Sequence, residues 1–399
     1  MTQILTNRKL YLRDTGQALL SLLFNLGGLI AGGFIASSLG VFDSIPWALI
    51  VYPGILSIRG AIGGLYSGRL STSLHLGLVK PQLFGNTEEA YVLFNTVNVL
   101  TLISAIAMGS LGSLVCIVVT GTPIFDFFKI LTVIVASMGL SIFVISPLTF
   151  WVSVTSFNRG LDPDVLVYPI ISTVADIIIT MLYIGVLYLV ILFPWESWVI
   201  LTVVNLIFVG AVLYTVTKIY RHREFVTTVR EFMLTLMIIS VIVNITGTAL
   251  SGIIEGIGKR PEVFMIYPAL IDTVGDVGSI IGSTATTKMA LGVLTTKFAS
   301  IRTHGMEILS AWTASMVMFI SYALVSCIFY GIGKLPRLMG QALLTNLIVI
   351  PVIILISFST AIMTRKRGLE PDNFIIPIET SISDGLTTIA LLVALTLIV

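Results

Sequence analysis

Charge is what this 399-residue chain has least of. Asp, Glu, Lys and Arg together make up 11% of it, against about 25% in soluble domains. So few charges cannot cover a surface that faces water over most of its area. Cysteine and histidine are nearly as scarce, with two and three. Cys116 and Cys327 stand singly in apolar runs, which excludes a disulfide framework and a cysteine metal site and leaves them as core thiols. His75, His222 and His304 are scattered at the ends of apolar runs, so no zinc cluster follows from them. Also lacking is a short apolar core with a small-residue cleavage site behind Arg8, Lys9 and Arg13. The first apolar stretch is therefore expected to be a retained span. Nucleic acid is not expected as a partner; membrane lipid is.

What the chain does have is apolar sequence, 56% of its residues. Runs of about 20 apolar residues recur throughout, long enough to cross a hydrocarbon core of roughly 30 Å as helices. Membrane strands would show alternation over about ten residues, and these runs are continuous. The expected fold is all-α and polytopic, with eleven transmembrane helices over 17–40, 46–74, 90–120, 126–156, 163–193, 197–217, 232–256, 262–292, 303–332, 338–363 and 372–398.

The chain repeats itself. "GLDPDVLVYPIISTVAD" from Gly160 returns as "GLEPDNFIIPIETSISD" from Gly368, and "YPGILSIRGAIGG" from Tyr52 returns as "YPALIDTVGDVGS" from Tyr267. Each motif occurs once per half in the same order. This predicts two five-helix repeats, 1–195 and 231–399, joined by a linker helix and cytoplasmic loop at 196–230. An odd number of spans per repeat would invert the second copy, and the sixth span restores parallel orientation. With eleven spans and a cytoplasmic N-terminus, the inside loops hold 16 Lys and Arg and the outside loops four. Without the sixth span the split is 10 against 10. The positive-inside rule selects parallel repeats with the C-terminus outside. Repeats of this kind place transport sites at their interface.

Charges inside the spans cost about 2.5–3.5 kcal/mol each on insertion scales and mark function. Asp176 lies roughly 20 Å along its helix from Pro163, at about 1.5 Å per residue, and Asp384 is its repeat mate. Ser172 and Thr173 precede Asp176 on the same face, as Thr380 and Ser381 precede Asp384. Pro169 and Pro377 free the carbonyls of Val165 and Asn373. Carboxylate, hydroxyl and carbonyl oxygens are the ligands of a hard cation, and magnesium takes only one or two carboxylates while keeping several waters. Asp272 and Asp276, four apart, share a helix face where the first copy has Ser57 and Ala61. Glu379 stands where the first copy has Ile171, and Arg59 is a deep basic residue expected to serve as partner to one of these acids. The glycine sets around Gly60 and Gly275 suit close helix packing as well as a pathway.

At these motifs the sequence resembles the membrane domain of the MgtE magnesium transporter family, and more closely its solute-carrier-type branch, in which two such domains are fused. The resemblance implies divalent-cation transport, with magnesium as substrate rather than bound cofactor, through a pathway between the repeats. The family's pore aspartate falls on Asp176 and Asp384. Its Gly-Asn element falls on Gly60–Ala61 and Gly275–Asp276, where alanine and aspartate replace the asparagine. Two other classes remain open. One is a sodium- or proton-coupled transporter of another solute, with Asp272 and Glu379 binding the coupling ion. The other is an intramembrane aspartyl protease, for which "TVGDVG" lacks the first glycine and no Tyr-Asp partner motif exists. No enzyme is therefore expected.

Overall fold

The computed structural model describes residues 2–159, 163–257, 260–290, 292–367 and 371–398, which are helical throughout their long elements and contain no strand. The helices are α1 (Thr2–Leu22), α2 (Gly28–Ser37), α3 (Leu39–Ser44), α4 (Trp47–His75), α5 (Glu88–Thr120), α6 (Asp126–Asn158), α7 (Pro163–Leu192), α8 (Glu196–Ile219), α9 (Arg223–Ile257), α10 (Pro261–Ala290), α11 (Gly305–Tyr330), α12 (Leu335–Arg367) and α13 (Pro371–Leu397). Among the described residues eleven helical stretches are long and apolar enough to cross a membrane, as the apolar runs predict. The first of them, Tyr11–Ser37, is not one continuous α-helix. It passes through a 3-10 turn at Leu23–Gly27, where Gly27 and Gly28 are poor helix formers.

Local chemistry sets the ends. α5 starts where Thr87 Oγ1 accepts the Ala90 N–H, with Glu88 and Glu89 in the first turn facing the helix dipole. It stops at Gly121, which is left-handed at φ +66° and caps the last turn. Prolines inside the second and fourth spans of each half, Pro53 and Pro268, Pro147 and Pro351, each leave one backbone bond unmade.

Packing divides the chain into two units. The first is Ser37–Ser251, and the second joins Met1–Ala36 to Gly252–Val399. The opening span thus packs with the C-terminal helices, and most of α9 packs with the N-terminal ones. In the first unit α4 is the central helix, 94% buried over its membrane window, against α5, α6 and α7. α8 lies on its rim against α5 and α6 and is only 17% buried. Gly139 of α6 leaves room there for the Phe208 ring, and Asn205 Nδ2 donates to the Thr132 carbonyl at 3.0 Å. The rest of α8 shows Val199, Val203, Leu206, Ile207 and Leu213 outward, as a lipid-facing helix does. In the second unit α10 is central, 78% buried, against α11, α12 and α13.

Each unit contains the same close approach. Gly247 of α9 sits on the backbone of Ile50 in α4, and Gly32 of α2 sits on the backbone of Met265 in α10. A Cβ at either glycine would overlap a carbonyl oxygen, so only glycine fits. Ile50 and Met265 are repeat mates 215 residues apart, and so are Gly32 and Gly247. The opening span and α9 are therefore corresponding helices, each built into the unit of the other half.

Candidate functional site

In the first unit α4 and α7 meet at mid-span. Arg59 Nη2 lies 2.5 Å from Asp176 Oδ1, with 8% of the Arg59 side chain and 2% of the Asp176 side chain exposed. The same nitrogen donates to Ser172 Oγ at 3.4 Å. Gly63 lies one turn beyond Arg59, and a Cβ there would stand 3.7 Å from Arg59 Nη1, an ordinary contact. Beside the pair is a cavity whose polar wall comes from Arg59, Tyr66, Thr101, Ser141, Ser146 and Thr149. It measures about 20 Å³, room for about one water. Thr173, Ser57 and Gly60, on the same two helices, are also buried. A buried ion pair of this kind is close to neutral for stability when intact and costly when one partner is lost.

In the second unit the corresponding helices are α10 and α13. Asp384 of α13 is 7% exposed. Gly275 of α10 lies against α13, where a Cβ would come 3.2 Å from Ser383 Oγ, close to Thr380. Thr380 is half-buried and Ser381 buried. Asp272 and Asp276 are half-buried on one face of α10. Asn25, from the 3-10 turn of the opening span, is 1% exposed and donates to Asp276 Oδ2 at 2.8 Å and to Thr273 Oγ1 at 3.4 Å. Thr273 donates to the Ala269 carbonyl at 2.8 Å, so the Tyr322 hydroxyl, 2.7 Å away, donates to it.

One hydrogen bond frames both places. Tyr52 and Thr180 hydroxyls are 2.9 Å apart in the first unit, and Tyr267 and Thr388 hydroxyls 2.9 Å apart in the second. These pairs are repeat mates, and each bond lies one helical turn beyond the deep aspartate. The structure thus brings Arg59, Ser172 and Asp176 together. It also places the Asp276 helix face against Asn25 and Gly275 against the Thr380–Ser383 turn. Val165, Glu379 and Asn373 fall on helical stretches whose side chains lie outside the described residues. Among the described residues no three His, Cys, Asp or Glu side chains converge on one point. An ion here would be held by one or two carboxylates with hydroxyl, carbonyl and water oxygens.

Three polar groupings were not anticipated. Asn25 is the first, a lone amide in the apolar run "LSLLFNLGG" whose only sequence signal is that isolation. The second lies at the start of α10. Arg260 Nε donates to Glu262 at 2.9 Å, Lys334 Nζ to the same carboxylate at 3.0 Å, and Arg260 Nη2 to Gln341 at 3.1 Å. Arg260 and Lys334, read as loop charges, do stand in the connections before α10 and α12, and both bind the buried Glu262 carboxylate. The third joins Lys288 to Glu307, which also lies 3.5 Å from the fully buried His304 ring.

A duplicated bundle of helices long and apolar enough to cross a membrane, with a buried aspartate at mid-span in each copy, defines the class as a polytopic membrane protein. The family model for MgtE, divalent cation transporter, matches residues 52–186 and 267–394, well over half of the chain and one stretch per half. The chain belongs to the MgtE family of divalent cation transporters and is an integral membrane protein. No curated protein and no solved structure matches it.

Proposed function

We propose that this chain moves magnesium across the cell membrane, and that its deep polar faces on α4, α7, α10 and α13 line the way. The observation that carries the reading is the recurrence of one pattern in both family-matched stretches: a deeply buried aspartate, paired hydroxyls one turn before it, and a tyrosine–threonine bond one turn after it. Magnesium dehydrates reluctantly and needs few carboxylates. That suits a stripe of hydroxyls and single acids better than a dedicated cage. Asp176, Asp272, Asp276 and Asp384, with the hydroxyls of Ser172, Thr173, Thr380 and Ser381, are the proposed polar lining. A route along the repeat interface is an expectation from the internal duplication alone. The occurrence of two family-matched stretches in one chain supports the solute-carrier-type branch of the family. The 16-to-4 charge split supports a cytoplasmic N-terminus and an outer C-terminus.

The test is ion flux into proteoliposomes carrying the purified protein. Magnesium entry is expected, and it should fall to background in Asp384→Asn. Repeating it with imposed sodium and proton gradients separates a channel from a coupled carrier. Transport of another solute on a sodium or proton gradient, with no magnesium movement, would overturn the reading. Labelling a cysteine placed at Leu397 from outside whole cells tests the orientation, and protection of that cysteine would sink the eleven-span topology.

A further inference from the structure

One neutral side chain supports the proposed lining from outside the repeated motifs. Asn25 stands in the 3-10 turn Leu23–Gly27 of the opening span, and a stretch of 3-10 helix within a longer helix often marks a functional point. Burying an amide in an apolar run is costly unless its donors are used, and Asn25 is 1% exposed. Its Nδ2 donates to Asp276 Oδ2 at 2.8 Å and to Thr273 Oγ1 at 3.4 Å, so both of its N–H groups are committed. Thr273 and Asp276 are three residues apart on one face of α10, and the amide bridges them. Thr273 is itself fixed, donating to the Ala269 carbonyl and accepting from Tyr322.

Backbone packing aims the amide. The opening span runs antiparallel to α10, with Asn25 beside Asp276, Gly28 against Ala269 and Gly32 against Met265. A Cβ at Gly28 would come 2.9 Å from the Ala269 nitrogen, and one at Gly32 would overlap the Met265 carbonyl. The first copy keeps the tight glycine crossing, Gly247 on Ile50, and lacks the amide. The repeat mates of Asn25 and Asp276 are Ser240 and Ala61. Donor and acceptor are present together in one copy and both missing from the other. A bond needed only to hold the crossing would be expected in both.

We infer that Asn25 is a positioning residue for cation transport: it holds one oxygen of the Asp276 carboxylate and so fixes the direction in which that carboxylate faces the ion path. The inference rests on the proposed divalent transport and deepens it, since it makes the opening span a support of the polar lining. Asp276 is only half-buried, and a half-buried side chain keeps rotamer freedom that binding would have to remove. A hydrogen bond to a charged group is stronger than one between neutral groups, and this one removes that freedom before an ion arrives. Bonds behind a metal ligand act in the same way, by orienting the ligand without touching the ion.

The experiment is a double-mutant cycle on magnesium flux by the full chain in proteoliposomes. Asn25→Leu keeps the branched shape of the side chain and removes both donors. It is expected to raise the half-saturating magnesium concentration by up to about 10-fold, the low end of what lost supporting bonds cost metal sites, with the maximal rate nearly unchanged. In an Asp276→Asn background the same change should add nothing further, because the carboxylate it orients is gone. Asn25→Ala, which cannot clash, takes its place in the cycle should leucine not fit. A merely structural asparagine would lower activity alike in both backgrounds, as independent sites do. Wild-type affinity in the folded Asn25 variant, a loss confined to the maximal rate, or equal losses in both backgrounds would each overturn the inference and leave divalent transport standing. A wild type that moves no magnesium overturns the proposed function, and the inference with it.

Discussion

The two mid-span centres are built on one frame and differ in charge. The frame is duplicated closely. Tyr52–Thr180 and Tyr267–Thr388 form the same bond, and Gly247 and Gly32 make the same approach to a helix backbone. Even where residues differ the volumes compensate. Gly28 lies on Ala269 in one unit, and in the other Val243 lies on Gly54 at the matching crossing. Within that frame α4 contributes Arg59 and α10 contributes Asp272 and Asp276. Contacts that hold helices together constrain both partners at once, because a buried bond or a backbone approach fails if either side changes. A charge needs only some group of complementary polarity nearby, as Arg59 has in Asp176 and Asp276 in Asn25, and is freer to diverge. The comparison teaches that the repeat conserves the scaffold and lets each copy take its own electrostatic role.

The largest expected effect is the one that would break this comparison outright. Asp384→Asn is expected to lower magnesium flux by about 100-fold or more, at the upper end of what loss of a metal-site group costs, with the protein still monodisperse. Wild-type flux in that variant would remove the second centre from the mechanism. Asp176→Asn should act differently, through stability. It leaves the Arg59 charge buried without its carboxylate, a loss of about 3–5 kcal/mol for broken buried pairs. A melting point in detergent that falls well below that of Asp384→Asn checks it, and equal melting points would contradict the paired assignment. Next come the glycines. Gly32→Ala and Gly247→Ala each force a Cβ onto a carbonyl and should cost about 1–3 kcal/mol apiece. The two losses should match, and a tolerant member of the pair would show that the duplicated crossing is not equally tight.

Asp276→Asn sharpens the comparison without breaking it. The amide oxygen of the new residue can still accept the Asn25 donor. One charge leaves a site where charge interactions exceed their value in water several-fold. Apparent metal affinity is expected to fall several-fold while transport continues. Flux titrated against magnesium reads this directly, and complete loss of flux would make Asp276 an indispensable ligand.

Hydropathy made the eleven spans legible, because a continuous run of about 20 apolar residues has one structural use. The repeated words around Tyr52 and Tyr267, and around Asp176 and Asp384, made the halves legible too, and with them the deep acids. Three features of the structure had no such signal. Which unit a helix joins depends on tertiary packing, so the opening span's place with α10 could not be read from its composition. The Asn25–Asp276 bond links residues 251 apart, beyond the reach of any helical periodicity. Arg260 and Lys334 do lie in connections between helices, but the charge count that uses them says nothing of their partners. The short distance to Glu262 comes from how α10, α11 and α12 meet. The Arg59 expectation shows the boundary of sequence reading. That a buried arginine wants an acid follows from electrostatics, but which acid it takes depends on the α4–α7 crossing.

The smallest predicted effect tests the frame itself. Tyr52→Phe and Tyr267→Phe each delete one buried hydroxyl and keep the ring. Thr388 Oγ1 donates to the Asp384 carbonyl at 2.7 Å, so its proton is committed and Tyr267 must be the donor in the bond between them. Removing that donor leaves the threonine with its own hydrogen bond made and only an acceptor site unfilled. This is the milder kind of loss, and about 1 kcal/mol is expected from each change. If the two copies are the same scaffold, the two destabilisations should agree within about 0.5 kcal/mol, the scatter normal for independent sites. Their functional consequences should not agree. Tyr267 braces the turn that carries Asp384, so Tyr267→Phe should weaken apparent magnesium affinity. Tyr52 braces the turn after an aspartate already held by Arg59, so Tyr52→Phe should leave that affinity nearly as it was. Paired melting curves and flux titrations on the two variants decide it. Unequal melting would deny the common frame, and equal loss of affinity would deny that the centres have parted in function.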